Sequence, residues 1–147
     1  MPEPNQDNSA ASVRPILDAE SEFFAAIEAL NVDRIMSCWS DSDRISLIFP
    51  GADTARGVKS VRQTWLSLEK YTSQIKVILD PLTVMRSGDM GFTFLGGTIV
   101  STHGDETLSV EVYVTNIFRL EASGWKLVHH HTTPAPHQPS YLEQRLN

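Results

Sequence analysis

The chain has 147 residues, 41% hydrophobic and 20% charged, which suits one globular domain large enough to enclose a core and a modest pocket. The formal charge is −6, and the twelve basic residues are scattered, so the concentrated positive surface that nucleic acid requires is absent. No apolar run has bilayer-spanning length, the start MPEPNQDNSAAS lacks the pattern of a signal peptide, and the single Cys38 excludes an intrachain disulfide or a multi-cysteine metal site. The cytoplasm is the expected compartment, with no nucleic acid and no membrane as partner.

Residues 1–11 are polar and Pro-containing and are expected to be disordered. The domain proper is expected over 12–133, with a Pro-rich tail over 134–147. Val13, Ile16, Leu17, Phe23, Phe24, Ile27 and Leu30 recur at helical spacing, predicting a first helix that ends at Asn31. Asn31 can cap a short second helix through Ile35 and Trp39, where Cys38 reads as a buried thiol. Asp41 and Asp43 read as turn and capping residues. A strand over Ile45–Phe49 stops at Pro50-Gly51, and a loop carrying Arg56 leads to a third helix with Val58, Val61, Trp65 and Leu68 on one stripe. The period then becomes two. Strands are predicted over Gln74–Val84 (interrupted at Asp80-Pro81), Met90–Ser101, Thr107–Leu120 and Trp125–Thr132. Helices first and a meander of strands after them make an α+β layout.

The last hairpin has two candidate loops, Ser123-Gly124 or Ala122-Ser123-Gly124. The three-residue loop is preferred, because it pairs Asn116 with His130 and Val114 with Thr132 and so gathers the apolar residues on one face. That concave face carries Val110, Val112, Val114, Phe118 and Val128, with Asn116, His130 and Thr132 as its polar points, and is expected to include Met90, Phe92 and Phe94. The opposite face would carry Tyr113, Trp125, His129 and His131.

The long first helix, the short helix ending Trp39-Ser40-Asp41, the strand ending Phe49-Pro50-Gly51 and the helix begun by Gly57 form one part of a resemblance. The other part is the closing run Gly124-Trp125-Lys126-Leu127-Val128-His129-His130-His131-Thr132-Thr133. Together, over Val13 to Thr133, they resemble the SnoaL-like branch of the nuclear transport factor 2-like superfamily, which has the ketosteroid isomerase-like fold. The closing strand is also similar to the end of the calcium/calmodulin-dependent kinase association domain. The resemblance implies a cone-shaped α+β barrel, three N-terminal helices packed on a curved, mainly antiparallel sheet. It further implies a homodimer through the outer sheet face (Tyr113, Trp125, His129, His131) and a pocket for a small organic ligand.

The reaction stays open, because this scaffold carries many chemistries and some non-catalytic modules. Phe49 and Phe23 stand where the resemblance places the isomerase's aspartate base and oxyanion-hole tyrosine, and neither can move a proton. Asn116 and Thr132 stand where the association domain has pocket arginines, so anionic ligands lose that anchor. The expected ligand-contacting residues are Asn116, His130, Thr132, Phe94, Phe118, Trp65, Trp39 and Phe23. If turnover occurs, cofactor-independent isomerisation, cyclisation or dehydration with His130 as base is expected. His129 and His131 share a face two residues apart, a spacing that also suits metal, but an interface role is expected for them and no metal site. The rival reading is a non-catalytic association module, favoured if Phe23, Phe94, Phe118 and Trp65 pack the pocket shut.

Overall fold

The computed structural model describes residues 8–136. Helix α1 (Ala10–Glu28) starts where the Ser9 hydroxyl accepts the Ser12 N–H at 3.3 Å. Ala10 and Ala11 are thus helical, inside the segment expected to be disordered, while residues 1–7 and 137–147 lie outside the described residues. Leu30 takes a positive φ of 51°, and Asn31 then caps α2 (Val32–Ser37) by accepting the Arg34 N–H at 3.1 Å. Helix α3 (Val58–Tyr71) begins at Gly57, whose φ of 86° suits glycine and whose N–H reaches the Ile45 carbonyl at 2.9 Å.

The strands are β1 (Ser46–Ile48), β2 (Ala55–Arg56), β3 (Gln74–Ser87), β4 (Met90–His103), β5 (Glu106–Glu121) and β6 (Gly124–Pro134). They form one sheet in the order β2-β1-β6-β5-β4-β3, antiparallel except for the parallel pair β1–β6. Asp80-Pro81 does not interrupt β3. That strand is at the sheet edge, where a missing N–H is tolerated, and a bulge between Pro81 and Thr83 absorbs the irregularity.

The final hairpin uses neither expected loop. Glu121 pairs with Gly124 across Ala122-Ser123, and a bulge between Ile117 and Phe118 leaves Val128 without a partner. Beyond the bulge the expected pairs Asn116–His130 and Val114–Thr132 appear. Below it the faces exchange, because one extra residue turns every side chain over. The strand bends there to meet the chain after α2, with Leu127 bonded to the Cys38 carbonyl and the Ser40 N–H at 2.9 and 2.8 Å.

Two expectations are corrected, the first by this register and the second by the pairing of β4 with β5. Trp125 is not on the outer face: it is 9% exposed, part of the core, and covered by the Arg86 guanidinium 4.9 Å from its ring. Met90, Phe92 and Phe94 are not on the concave face. Gly91, Thr93 and Leu95 are, paired with Phe118, Asn116 and Val114, and a Cβ on Gly91 would lie 2.5 Å from Ile16 Cδ1, so α1 packs closely on that strand. Phe94 instead stacks on Tyr113 at 5.5 Å on the outer side.

The core lies between the helices and the concave face. Its centre is Phe23, in edge-on contact with Trp39, Trp65 and His130 at centroid distances of 6.1, 5.8 and 5.2 Å. Such aromatic pairs add about 0.5–1.5 kcal/mol each beyond the area they bury.

Candidate functional site

A cavity of about 580 Å³ opens between α3, the 49–55 loop and the far ends of β3, β4 and β5, with Thr132 of β6 on its wall. That volume suits an organic ligand. Ile75, Ile99, Val110 and Val112 give the sheet side an apolar surface. Ser60, Gln63, Thr64 and Ser67 project from α3, and Asp53 from the loop. Among the described lining residues there is no lysine or arginine.

Behind Thr132 runs a buried hydrogen-bonded chain. Glu20, 3% exposed on α1, accepts the Asn116 Nδ2–H at 2.8 Å and the Thr93 hydroxyl on the same oxygen, Oε2. This fixes the Asn116 amide, so that its Oδ1 faces His130 Nδ1 at 2.5 Å and must accept from it. His130 Nε2 is left as an acceptor, and the Thr132 hydroxyl donates to it at 2.7 Å. Burial pushes the His130 imidazole down to about 3, with His129 and His131 acting the same way, so the ring is neutral. Burial raises the Glu20 carboxyl, opposed by its bonds to Thr93 and Asn116.

The sequence located three members of this chain, Asn116, His130 and Thr132, and one point of the cavity, Thr132. Asn116 and His130 do not reach the cavity. His130 borders a void of about 10 Å³ beside Phe24, Phe49 and Val114, at the lower limit for a single water. Phe23, Trp65, Trp39 and Phe118 fill the core instead of lining the cavity, each at most 3% exposed, and Phe94 is on the other face. The aromatic plug therefore closes the cone at its middle and leaves the wide end open.

Two features escaped the sequence reading. Glu20 occupies the buried stripe of α1 between Ile16 and Phe23, and a carboxylate at a core position was the signal for it. The other is a hydroxyl–imidazole pair at the cavity wall, Ser101 and His103. His103 Nδ1 lies 3.0 Å from the Tyr71 carbonyl and 3.4 Å from the Thr72 hydroxyl, and its Nε2 accepts from Ser101 at 2.9 Å. Their i, i+2 spacing on a strand was the legible sign.

On the outer face His129 and His131 sit 6.3 Å apart, and Ser46 Oγ bonds His129 Nδ1 at 2.7 Å. Burial and the neighbouring His131 lower the His129 imidazole. Among the described residues no group of three or more metal-ligating side chains forms. Arg56 is exposed on β2 and does not line the cavity.

A cone of helices on a curved sheet, with a cavity at its wide end, defines the nuclear transport factor 2-like class. A model of the SnoaL-like domain matches residues 16–136, and the chain belongs to that family. It is similar in structure to a candidate dehydratase of the nuclear transport factor 2-like family from Streptomyces avermitilis. That match has a TM-score of 0.78 and 23% identity, covering 85% of this chain and 97% of the other. It is also similar to a candidate calcium/calmodulin-dependent protein kinase type II association domain from Thiobacillus denitrificans, with a TM-score of 0.69 and 30% identity, covering 80% and 92%. Among curated proteins it is 21% identical to F-box protein SKIP8 of Arabidopsis thaliana over 132 residues, 84% of this chain. The chain spans about half the length of that relative (51%). No helix among the described residues is long and apolar enough to cross a membrane.

Proposed function

We propose that this SnoaL-like domain binds a small organic ligand in the 580 Å³ cavity, with Thr132 as its deepest polar contact and Asn116 and His130 holding Thr132 in place. The cavity at the wide end carries this reading: Phe23, Trp65 and Phe118 close the cone around His130, as the association reading expects, but leave that end open. Acid–base turnover, an isomerisation, cyclisation or dehydration without cofactor, would pass through Thr132 to His130. An imidazole held at about 3 resists taking that proton at neutral pH by roughly 5 kcal/mol, so binding is the stronger part of the proposal. The neutral dye Nile red is expected to bind and fluoresce, and Thr64→Trp, which fills the cavity, is expected to weaken it at least about tenfold. Equal dye affinity in the two proteins, with unchanged melting temperatures, would place binding elsewhere.

The domain is further proposed to form a homodimer through the outer sheet face, with Tyr113, His129 and His131 in the contact. Support comes from that face itself: Phe92, Phe94, Tyr113 and Ile117 are only half-buried on it, beside exposed Met90 and Ile78. The similarity to an association domain favours a second reading in which assembly is the function. Tyr113→Lys together with Phe94→Glu is expected to convert a dimer to a monomer by light scattering. A wild-type mass of one chain at roughly 50 µM, well above a Kd of about 1 µM, would refute the dimer.

A further inference from the structure

Two hydroxyls on the cavity wall share one arrangement, although they come from different strands. Thr132 donates to His130 Nε2 at 2.7 Å, and Ser101 donates to His103 Nε2 at 2.9 Å. In each case the opposite ring nitrogen faces an oxygen that can only accept: Asn116 Oδ1 at 2.5 Å, and the Tyr71 carbonyl at 3.0 Å. A neutral imidazole has one N–H. With Nδ1 carrying it, Nε2 is a bare lone pair that claims the hydroxyl proton. Thr132 Oγ1 and Ser101 Oγ then have only lone pairs left to offer.

The Asn116 orientation is set from below when Glu20 is a carboxylate, because Oε2 can then only accept, from the Thr93 hydroxyl and the Asn116 Nδ2–H. Thr64 is in the same state as the two wall hydroxyls, its proton given to the Ser60 carbonyl at 3.3 Å. Asp53 adds a carboxylate. Among the described residues, Trp39 and Trp65 have buried indole N–H groups without a partner, and neither lines the cavity. Other lining donors, Ser60, Gln63, Ser67 and Tyr71 on α3 and Thr54 on the loop, stand apart from the two strand positions.

We infer that the cavity selects an apolar ligand whose polar groups donate hydrogen bonds, an alcohol or an amine bearing two such groups, and rejects ketones and carboxylates of the same shape. A carbonyl at either position would set lone pair against lone pair and leave both buried without a partner. The absence of lysine and arginine among the described lining residues, with Asp53 present, turns a carboxylate away a second time. This inference rests on the ligand-binding reading above, and extends it to the class of ligand.

The test uses four ligands on one rigid bicycle, decalin carrying two hydroxyls, two amines, two ketones or two carboxylates, titrated calorimetrically at pH 8. The diol and diamine are expected to bind at least about tenfold more tightly than the dione and dicarboxylate. Thr132→Val and Ser101→Ala are each expected to bring the diol down toward the dione, whereas a merely structural role would weaken both ligands alike. Equal or tighter binding of the dione overturns the inference. In parallel, long-range proton–nitrogen NMR of the ligand-free protein reads the tautomers of His130 and His103. Protons on Nδ1 of both rings support it, and a proton on Nε2 of either neutral ring overturns it whatever binds. If none of the four ligands binds, the cavity reading itself fails, while the tautomers still report on the acceptor pair.

Discussion

Stability measured by urea unfolding is expected to fall by up to about 5 kcal/mol between pH 6.5 and pH 3, most of it through His130. The folded imidazole titrates at about 3, whereas in the unfolded chain it titrates near its ordinary value of about 6.5. Between these the unfolded chain binds a proton that the fold excludes, so stability rises with pH across the window and is level above it. A loss of that size is comparable to the whole stability of a small domain, so unfolding near pH 4 is the expected outcome. His129 adds in the same direction, since its pKa is also lowered. Glu20 acts in the opposite sense. Its pKa is raised, so the fold holds a proton that the unfolded chain releases, and this contribution is lost as pH rises from its ordinary value through the folded one. His130→Gln removes the imidazole titration and is expected to flatten the curve between pH 6.5 and 4.5. Parallel loss of stability in wild type and variant over that range would show that His130 does not carry the acid sensitivity.

The reason for that burial also explains which features could be read from the sequence. The helical stripe of α1, the Asn31 cap and the Gly57 helix start are local devices, set within a few residues, and each appears where the sequence places it. Alternation on β5 and β6 likewise brought Asn116, His130 and Thr132 to one face. The failures lie where a distant contact chooses between locally equal options. The Val128 bulge is set by the Cys38–Ser40 segment bonding to Leu127, and nothing near Gly124 announces it, so Trp125 was put on the wrong side. On β4, Phe92 and Phe94 look more core-like than Gly91 and Thr93. The close approach of Ile16 and the need of Glu20 for a hydroxyl decide the other way. The cavity was harder still, because it is the space left once Phe23, Trp65 and Phe118 have filled the middle of the cone.

Replacing Asn116 by Leu is expected to cost about 3–5 kcal/mol, because it strips partners from two buried groups at once. The Glu20 carboxyl keeps only Thr93, and the His130 Nδ1–H loses its acceptor. Glu20→Leu leaves the Asn116 Nδ2–H and the Thr93 hydroxyl unpaired and is expected to cost about 2–4 kcal/mol. The double variant exchanges a buried polar pair for an apolar pair of similar volume. Its loss is expected to fall short of the sum by about 1–3 kcal/mol, read from denaturant midpoints at constant slope. Additivity within about 0.5 kcal/mol would mean that the two side chains act separately and that Glu20 does not orient the amide. The same cycle reaches the cavity. Without Asn116 Oδ1 nothing holds the proton on His130 Nδ1, the Nε2–H tautomer becomes available, and that ring would donate to Thr132. Thr132 could then turn its own hydroxyl proton toward a ligand. A core substitution two residues removed from the cavity wall along the hydrogen-bonded chain would thereby exchange an acceptor for a donor at the site.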